Sequence, residues 1–232
     1  MKKALFIALV LVAICTMPLY GQNPKSATTG TLNGHEWVDL GLPSGTLWAT
    51  CNVGAEMPED YGEYFAWGET QPKDIYNEST YQHCMDNDSL LTKYCFKSEL
   101  GNNGFTDTLT YLLPEDDAAT VHWGNGWRMP TKKEFEELCN NTTVTWTTKN
   151  NVNGMLFAAN NGNSLFLPVA GFRYRSSLYR AGSDGFYWSK SLLNDDTPIF
   201  SWVFSFNMDV YGKFACFREY GCSVRPVTSS HE

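Results

Sequence analysis

Beyond Gly21 the chain has no apolar run that approaches the roughly 20 residues needed to cross a bilayer, so no transmembrane segment is expected. Only four of its 232 residues are histidine. They stand at His35, His83, His122 and His231, with no spacing that resembles a zinc site or an acid–base pair, and His122 beside Trp123 reads as a packed core residue. No serine sits in a G-x-S-x-G elbow, so serine-hydrolase chemistry has no support. No internal repeat and no low-complexity tract is present. Positive charge is scarce: 17 Lys and Arg stand against 25 Asp and Glu, a formal net charge of -8. An acidic chain repels phosphate backbones, which excludes nucleic acid as an expected partner.

What is present begins with an export signal. Lys2 and Lys3 form a basic end, Ala4 to Cys15 an apolar run, and Gly21 a small residue before Gln22, which together predict a signal peptide over residues 1–21 and a secreted or outer cell-surface location. A lipoprotein signal centred on Cys15 is the alternative, although bulky Ile14 stands where such a signal resembles one needing a small residue. Removing the signal takes Lys2 and Lys3 with it and moves the charge to about -10. Residues 22–32 (QNPKSATTGTL) are small, polar and aperiodic, and read as a flexible tether. Residues 33–228 then form a single domain with a substantial core.

The chain holds seven cysteines. Those after Cys15 are Cys51, Cys84, Cys95, Cys139, Cys216 and Cys222, and an even number in an exported chain argues for disulfides over metal thiolates. Six cysteines allow 15 pairings and sequence selects none of them. Closeness along the chain favours Cys84 with Cys95 and Cys216 with Cys222, which leaves Cys51 for Cys139.

The clearest local instruction is Gly124 to Asn140, GNGWRMPTKKEFEELCN. Thr131 with Glu134 three residues on is a capping box that starts a helix. Phe135, Leu138 and Cys139 share one buried stripe of it, and Pro130 holds Met129 extended just before the cap. Pro114 to Val121 reads as a second short helix, with Asp116 and Asp117 at the end where its dipole favours acids. Trp37–Val38 and Leu47–Val53 read as a hairpin around Gly41 to Gly45, and Tyr64 to Trp67 as a short strand. Glu69 to Tyr111 is a long loop region pinned by Cys84 and Cys95, of a length that is usually functional when ordered. Leu165 to Val169 and Phe186 to Ser189 read as strands. Ser201 to Phe206 is the clearest β alternation, with Trp202, Phe204 and Phe206 on one face and Ser201, Val203 and Ser205 on the other. Cys222 to Val227 is the last strand.

The segment W-R-M-P-T-x-x-E-F resembles one of the formylglycine-generating enzyme family, whose fold is an elaborated C-type-lectin-like one. Nearer still, His35 to Asn52 (HEWVDLGLPSGTLWATCN), Tyr61 to Thr70 (YGEYFAWGET), Trp123 to Thr131, Asn163 to Phe172 (NSLFLPVAGF) and Tyr220 to Val227 (YGCSVRPV) resemble the FISUMP family of bacterial surface proteins, the Fibrobacter succinogenes major paralogous domain. The resemblance covers nearly all of residues 34 to 227. It implies an α+β, C-type-lectin-like fold of mostly short antiparallel strands and long loops with two short helices, stapled by disulfides, in which the first and last strands usually pair. It implies no reaction.

Candidate chemistry is sparse. Cys216 and Cys222 resemble the thiol pair of the formylglycine-generating oxidases, which depend on copper, but five residues separate them where that family has four, and a structural disulfide is the favoured reading. Calcium is the one cofactor considered, on Asn194, Asp195 and Asp196 or on Asp116 and Asp117; adjacent acids supply only part of the six to eight oxygens that it takes, and none is expected. Aromatics make up 15% of the chain, and most must fill the core. Those in loops or on polar strand faces, Tyr174, Arg175, Tyr179, Arg180, Tyr211, Phe217, Arg218 and Tyr220, combine contact area with directional hydrogen bonds and form the candidate binding surface. The leading expectation is a non-catalytic domain that binds a glycan or a protein. The alternatives are an oxidase using Cys216 and Cys222, and a structural surface subunit.

Overall fold

A computed structural model describes residues 29–85, 90–193 and 197–229. The predicted signal peptide, most of the tether and the Asn194 to Asp196 cluster lie outside the described residues. The fold is β-rich α+β, with short antiparallel strands in several sheets and, among the described residues, two α-helices.

The first sheet joins the two ends of the domain. Its strands are β1 (Thr29–Leu32), β2 (His35–Asp39), β3 (Thr46–Ala49) and β14 (Val227–Ser229), in the order β1-β2-β3-β14. The last strand therefore shares a sheet with the first, although it pairs with β3, Val227 opposite Trp48. Thr29 to Leu32 is strand and not tether. Asn33 and Gly34 at φ 51° and 83° make the two-residue turn whose twist suits a hairpin, so the pairing reaches four residues further back than composition indicates.

The central sheet, β11 (Gly185–Leu192), β12 (Phe200–Phe206) and β13 (Tyr211–Phe217), separates two hydrophobic cores. The alternation on β12 sets this up. Val203 faces one core with Trp188, Trp67 and Trp127, while Phe204 and Phe206 face the other with Tyr187, Phe157 and Trp48. Trp202 lies outside both, under Lys132 Nζ at 4.0 Å. A third sheet, β6 (Thr143–Lys149), β7 (Val152–Ala158) and β8 (Ser164–Pro168), contributes Met155, Phe157, Leu165 and Leu167 to the second core.

Helix α2 (Lys132–Asn141) begins at the expected cap, with the Thr131 hydroxyl accepting from Glu134 N–H and the Glu134 carboxylate accepting from Thr131 N–H at 2.7 Å. Phe135 and Leu138 are buried on it, and Phe135 stacks on Phe204 at 4.9 Å. The second expected helix divides: Pro114–Asp116 is a 3-10 turn, and α1 (Ala118–Trp123) follows, capped by Asp117. Both acids stand at helix N-terminal ends as expected, and both are buried there. Asp117 is fully buried and accepts from Thr120 and Met129 N–H, while Asp116 accepts from Lys93 Nζ and the Tyr94 hydroxyl. Among the described residues no group of three or more His, Cys, Asp or Glu is placed to hold a metal ion. His122 is exposed, contrary to expectation, with its ring against the Thr70 carbonyl at 2.7 Å. Tyr64 to Trp67 pairs only at Phe65, with Cys222.

In the Glu69 to Tyr111 region the described residues are held by burial of their tyrosines and by side-chain caps. Tyr76, Tyr81 and Tyr94 are buried, and the Asp107 carboxylate accepts from the N–H groups of Tyr94, Cys95 and Leu109. Two short strands, β4 (Cys84–Met85) and β5 (Leu90–Leu91), pair within it. Contrary to expectation, Cys84 and Cys95 do not pin it by a disulfide. Among the described residues the six cysteines, Cys51, Cys84, Cys95, Cys139, Cys216 and Cys222, form no disulfide: Cys51 turns to the Glu56 carbonyl, Cys95 to that of Lys97, and Cys139 packs against the second core. Cys216 and Cys222 share the first core and hydrogen-bond each other. No helix among the described residues is long and apolar enough to cross a membrane.

Candidate functional site

The hairpin of β9 (Phe172–Tyr174) and β10 (Ser177–Tyr179) carries the exposed aromatic surface. Period-2 alternation puts Phe172, Tyr174, Ser177 and Tyr179 on one face, with Tyr179 opposite Phe172 in the register. The turn is tight because Arg175 adopts φ 52°. Two backbone ties hold the hairpin down: Arg173 and Gly221 exchange hydrogen bonds at 2.7 and 2.9 Å, and Arg175 and Tyr76 at 3.0 and 2.7 Å. On the other face the Arg173 guanidinium covers the Tyr64 ring at 5.2 Å. Gly221 must be glycine for this approach, since a Cβ there would stand 2.6 Å from the Tyr76 ring.

These ties bring the hairpin against the turn that follows β13. Phe172 stacks with Tyr179 at 5.7 Å and with Tyr220 at 5.4 Å, the latter pair only 2° from parallel. Tyr220 meets Phe217 at 5.4 Å, Phe217 meets Phe200 at 4.5 Å, and Tyr174 lies beside Tyr220 at 4.8 Å. The result is a strip running Tyr179, Phe172, Tyr220, Phe217, Phe200, with Tyr174 alongside. Tyr179 is 44% and Phe217 37% exposed; Phe172, Tyr174, Phe200 and Tyr220 are half-buried. Arg175 sits at its edge, 5.3 Å from the Tyr174 ring.

Of the sequence-derived candidates, Tyr174, Arg175, Tyr179, Phe217 and Tyr220 converge here. Arg180 is exposed but pairs with Asp184 at 3.3 Å. Tyr211 is at the far end of β13, in a shallow groove with Phe135, Cys139 and Lys213. Arg218 is a correction: it is only 1% exposed. Its Nε donates to the Tyr81 hydroxyl and its other nitrogens to the carbonyls of Lys93, Tyr94 and Pro198, at 2.9 to 3.2 Å. Strand alternation explains the inversion, because Phe217 faces out and its neighbour must face in.

Phe172 and Phe200 were not anticipated, although the alternation of Phe172 with Tyr174 signals the first. Glu219 was missed as well. It is buried, and burial together with the nearby Glu78 charge lifts its carboxyl to about 7. Cys222, by contrast with an activated nucleophile, has its thiol pushed well up by burial and by the Cys216 thiol beside it, which disfavours a thiolate. His83 is also buried, its imidazole lowered to about 4 by desolvation.

Comparison of the chain with protein-family models, with curated proteins and with solved structures gives no match in any of the three.

Proposed function

We propose that the chain is a secreted or cell-surface binding domain without catalytic activity, of C-type-lectin-like fold and FISUMP type, and that the aromatic strip is its ligand-binding face. The observation that carries this reading is the continuous run of partly exposed rings from Tyr179 to Phe200, fixed in place by backbone ties and flanked by Arg175. Tyr, Phe and Arg on a rigid support are what interfaces use, since little side-chain entropy is lost on contact. The ligand class is a glycan or a protein. Because Phe172 and Tyr220 already stack face to face, the strip offers ring edges and hydroxyls more than open ring faces, and that favours a protein.

The test is an array of glycans and proteins probed with residues 22–232, followed by the Tyr174→Ala, Tyr179→Ala double variant. Lost binding with an unchanged melting curve supports the strip. Full binding by the variant would place the site elsewhere.

A further inference from the structure

Beside the strip, Phe217 forms one lip of a separate recess of about 80 Å³. Glu78 forms the other lip, Tyr81, Leu91 and Ile199 line the walls, and Glu219 lies within, only 6% exposed. Space of this size takes a few heavy atoms, the tip of a side chain and not a whole ligand.

Glu219 has no charged partner in contact. Arg218 lines the recess too, yet the four hydrogen bonds it donates go to the Tyr81 hydroxyl and to backbone carbonyls. Lys73, the other cation near enough to act on Glu219, is held by Glu69 at 2.7 Å and by the Thr80 carbonyl. A buried carboxylate left without a cation is costly, and it is aimed into a cavity whose second carboxylate, Glu78, stands at the mouth. The exposed Phe217 ring supplies a π surface that cations favour, and Leu91 and Ile199 an apolar sleeve for methylenes.

We propose that this recess seats a primary alkylammonium group, supplied by a lysine side chain of a partner protein. Its stem lies along Leu91 and Ile199, its ammonium reaches Glu219, and Glu78 closes over it. Arginine's planar fork is too broad for so small a space. The inference goes beyond the aromatic strip and stands on the recess alone.

The experiment titrates Nα-acetyl-lysine N-methylamide into residues 22–232 at pH 8, followed by NMR, against the norleucine amide, which has the same stem and no charge. Saturable binding of the lysine amide, at least about tenfold tighter than norleucine, is expected, and Glu219→Gln should lose about tenfold or more without lowering the melting temperature. Affinity should fall as pH drops from 8 to 6 and Glu219 takes up a proton. Glu78, Arg218 and the Cys84 thiol also line the recess and Lys73 acts on Glu219 from outside it, so the same pH series on Glu219→Gln isolates Glu219, and there it should be flat. Equal binding of norleucine, unaltered binding by Glu219→Gln, or binding of n-butylamine without the lysine amide would each overturn the proposal. Should Glu219→Gln fail to fold, the lysine and norleucine contrast in the native chain decides alone. The Tyr174→Ala, Tyr179→Ala variant keeps the recess intact, so lysine binding should persist in it even where strip binding is lost.

Discussion

The Arg218 guanidinium lies 4.8 Å from the centre of the Trp67 ring, in the interior of the domain and without a carboxylate in contact. Its charge is offset by three carbonyl dipoles, the Tyr81 hydroxyl and the π faces of Trp67, Tyr81 and Tyr94. This one side chain ties the loop at residues 93–94 to the carboxyl-terminal turn.

Arg218→Lys is therefore expected to destabilise by about 2 to 4 kcal/mol, because an ammonium cannot reach four separated acceptors in one plane and leaves buried carbonyls unpaired. Chemical denaturation measures it. A change under about 0.5 kcal/mol would show that the carbonyls find other donors.

Thr131→Ala removes the hydroxyl that caps α2 and should cost about 0.5 to 2 kcal/mol. A thermal melt beside the native protein is sufficient, and an unchanged midpoint would leave the cap to Glu134 alone.

Within the strip, exposure separates contact from support. Tyr179→Ala should change stability by no more than about 0.5 kcal/mol. Tyr220→Ala removes a half-buried ring that touches Phe172, Tyr174 and Phe217 and should cost about 1 to 3 kcal/mol. The difference between their melting curves is the check.

Glu219 gives a pH signature. Its folded carboxyl sits at about 7, above the ordinary 4.5, so the folded chain holds a proton that the unfolded chain has lost. Stability from this group is full below the unfolded value and falls as pH rises through the folded one. Glu219→Gln should thus be neutral near pH 4 and stabilising by about 1 to 3 kcal/mol at pH 8. Denaturation curves at the two pH values test the sign.

Cys216 and Cys222 are the pair that oxidation should close, since their thiols hydrogen-bond each other. Mild oxidation followed by peptide mapping should find that bridge and stabilise by about 2 kcal/mol, as a short closed loop allows. A map linking Cys51 to Cys139 would contradict the arrangement of α2 against the second core.

Much of this was legible where one local signal dominates. Thr131 and Glu134 announce α2, and the alternation over Ser201 to Phe206 names the faces of β12, because both depend on near neighbours in the chain. The β6–β7 hairpin was not anticipated, although Asn150 and Asn151, at φ 48° and 67°, form its turn. Thr-rich β6 is half-exposed and has too little apolar contrast to stand out. Five of the eight candidate surface residues converge on the strip. Tyr211 and Arg180 do not, since their separation from it is set by strand direction and by Asp184. Arg218 was misplaced because Arg in a loop reads as exposed unless its neighbours' facing is known. The recess was invisible, being made by four segments that only tertiary pairing brings together.

Phe217 to Tyr220 form a turn closed by the Tyr220 N–H on the Phe217 carbonyl at 3.1 Å. Successive residues there point to the surface, the interior, the recess and the surface again. A molecule docked on Phe217 or Tyr220 restrains the same short turn that holds Arg218 against the Lys93 and Tyr94 carbonyls, so occupancy outside is expected to register inside as slower amide exchange around residues 93–95, with no change in the path of the chain.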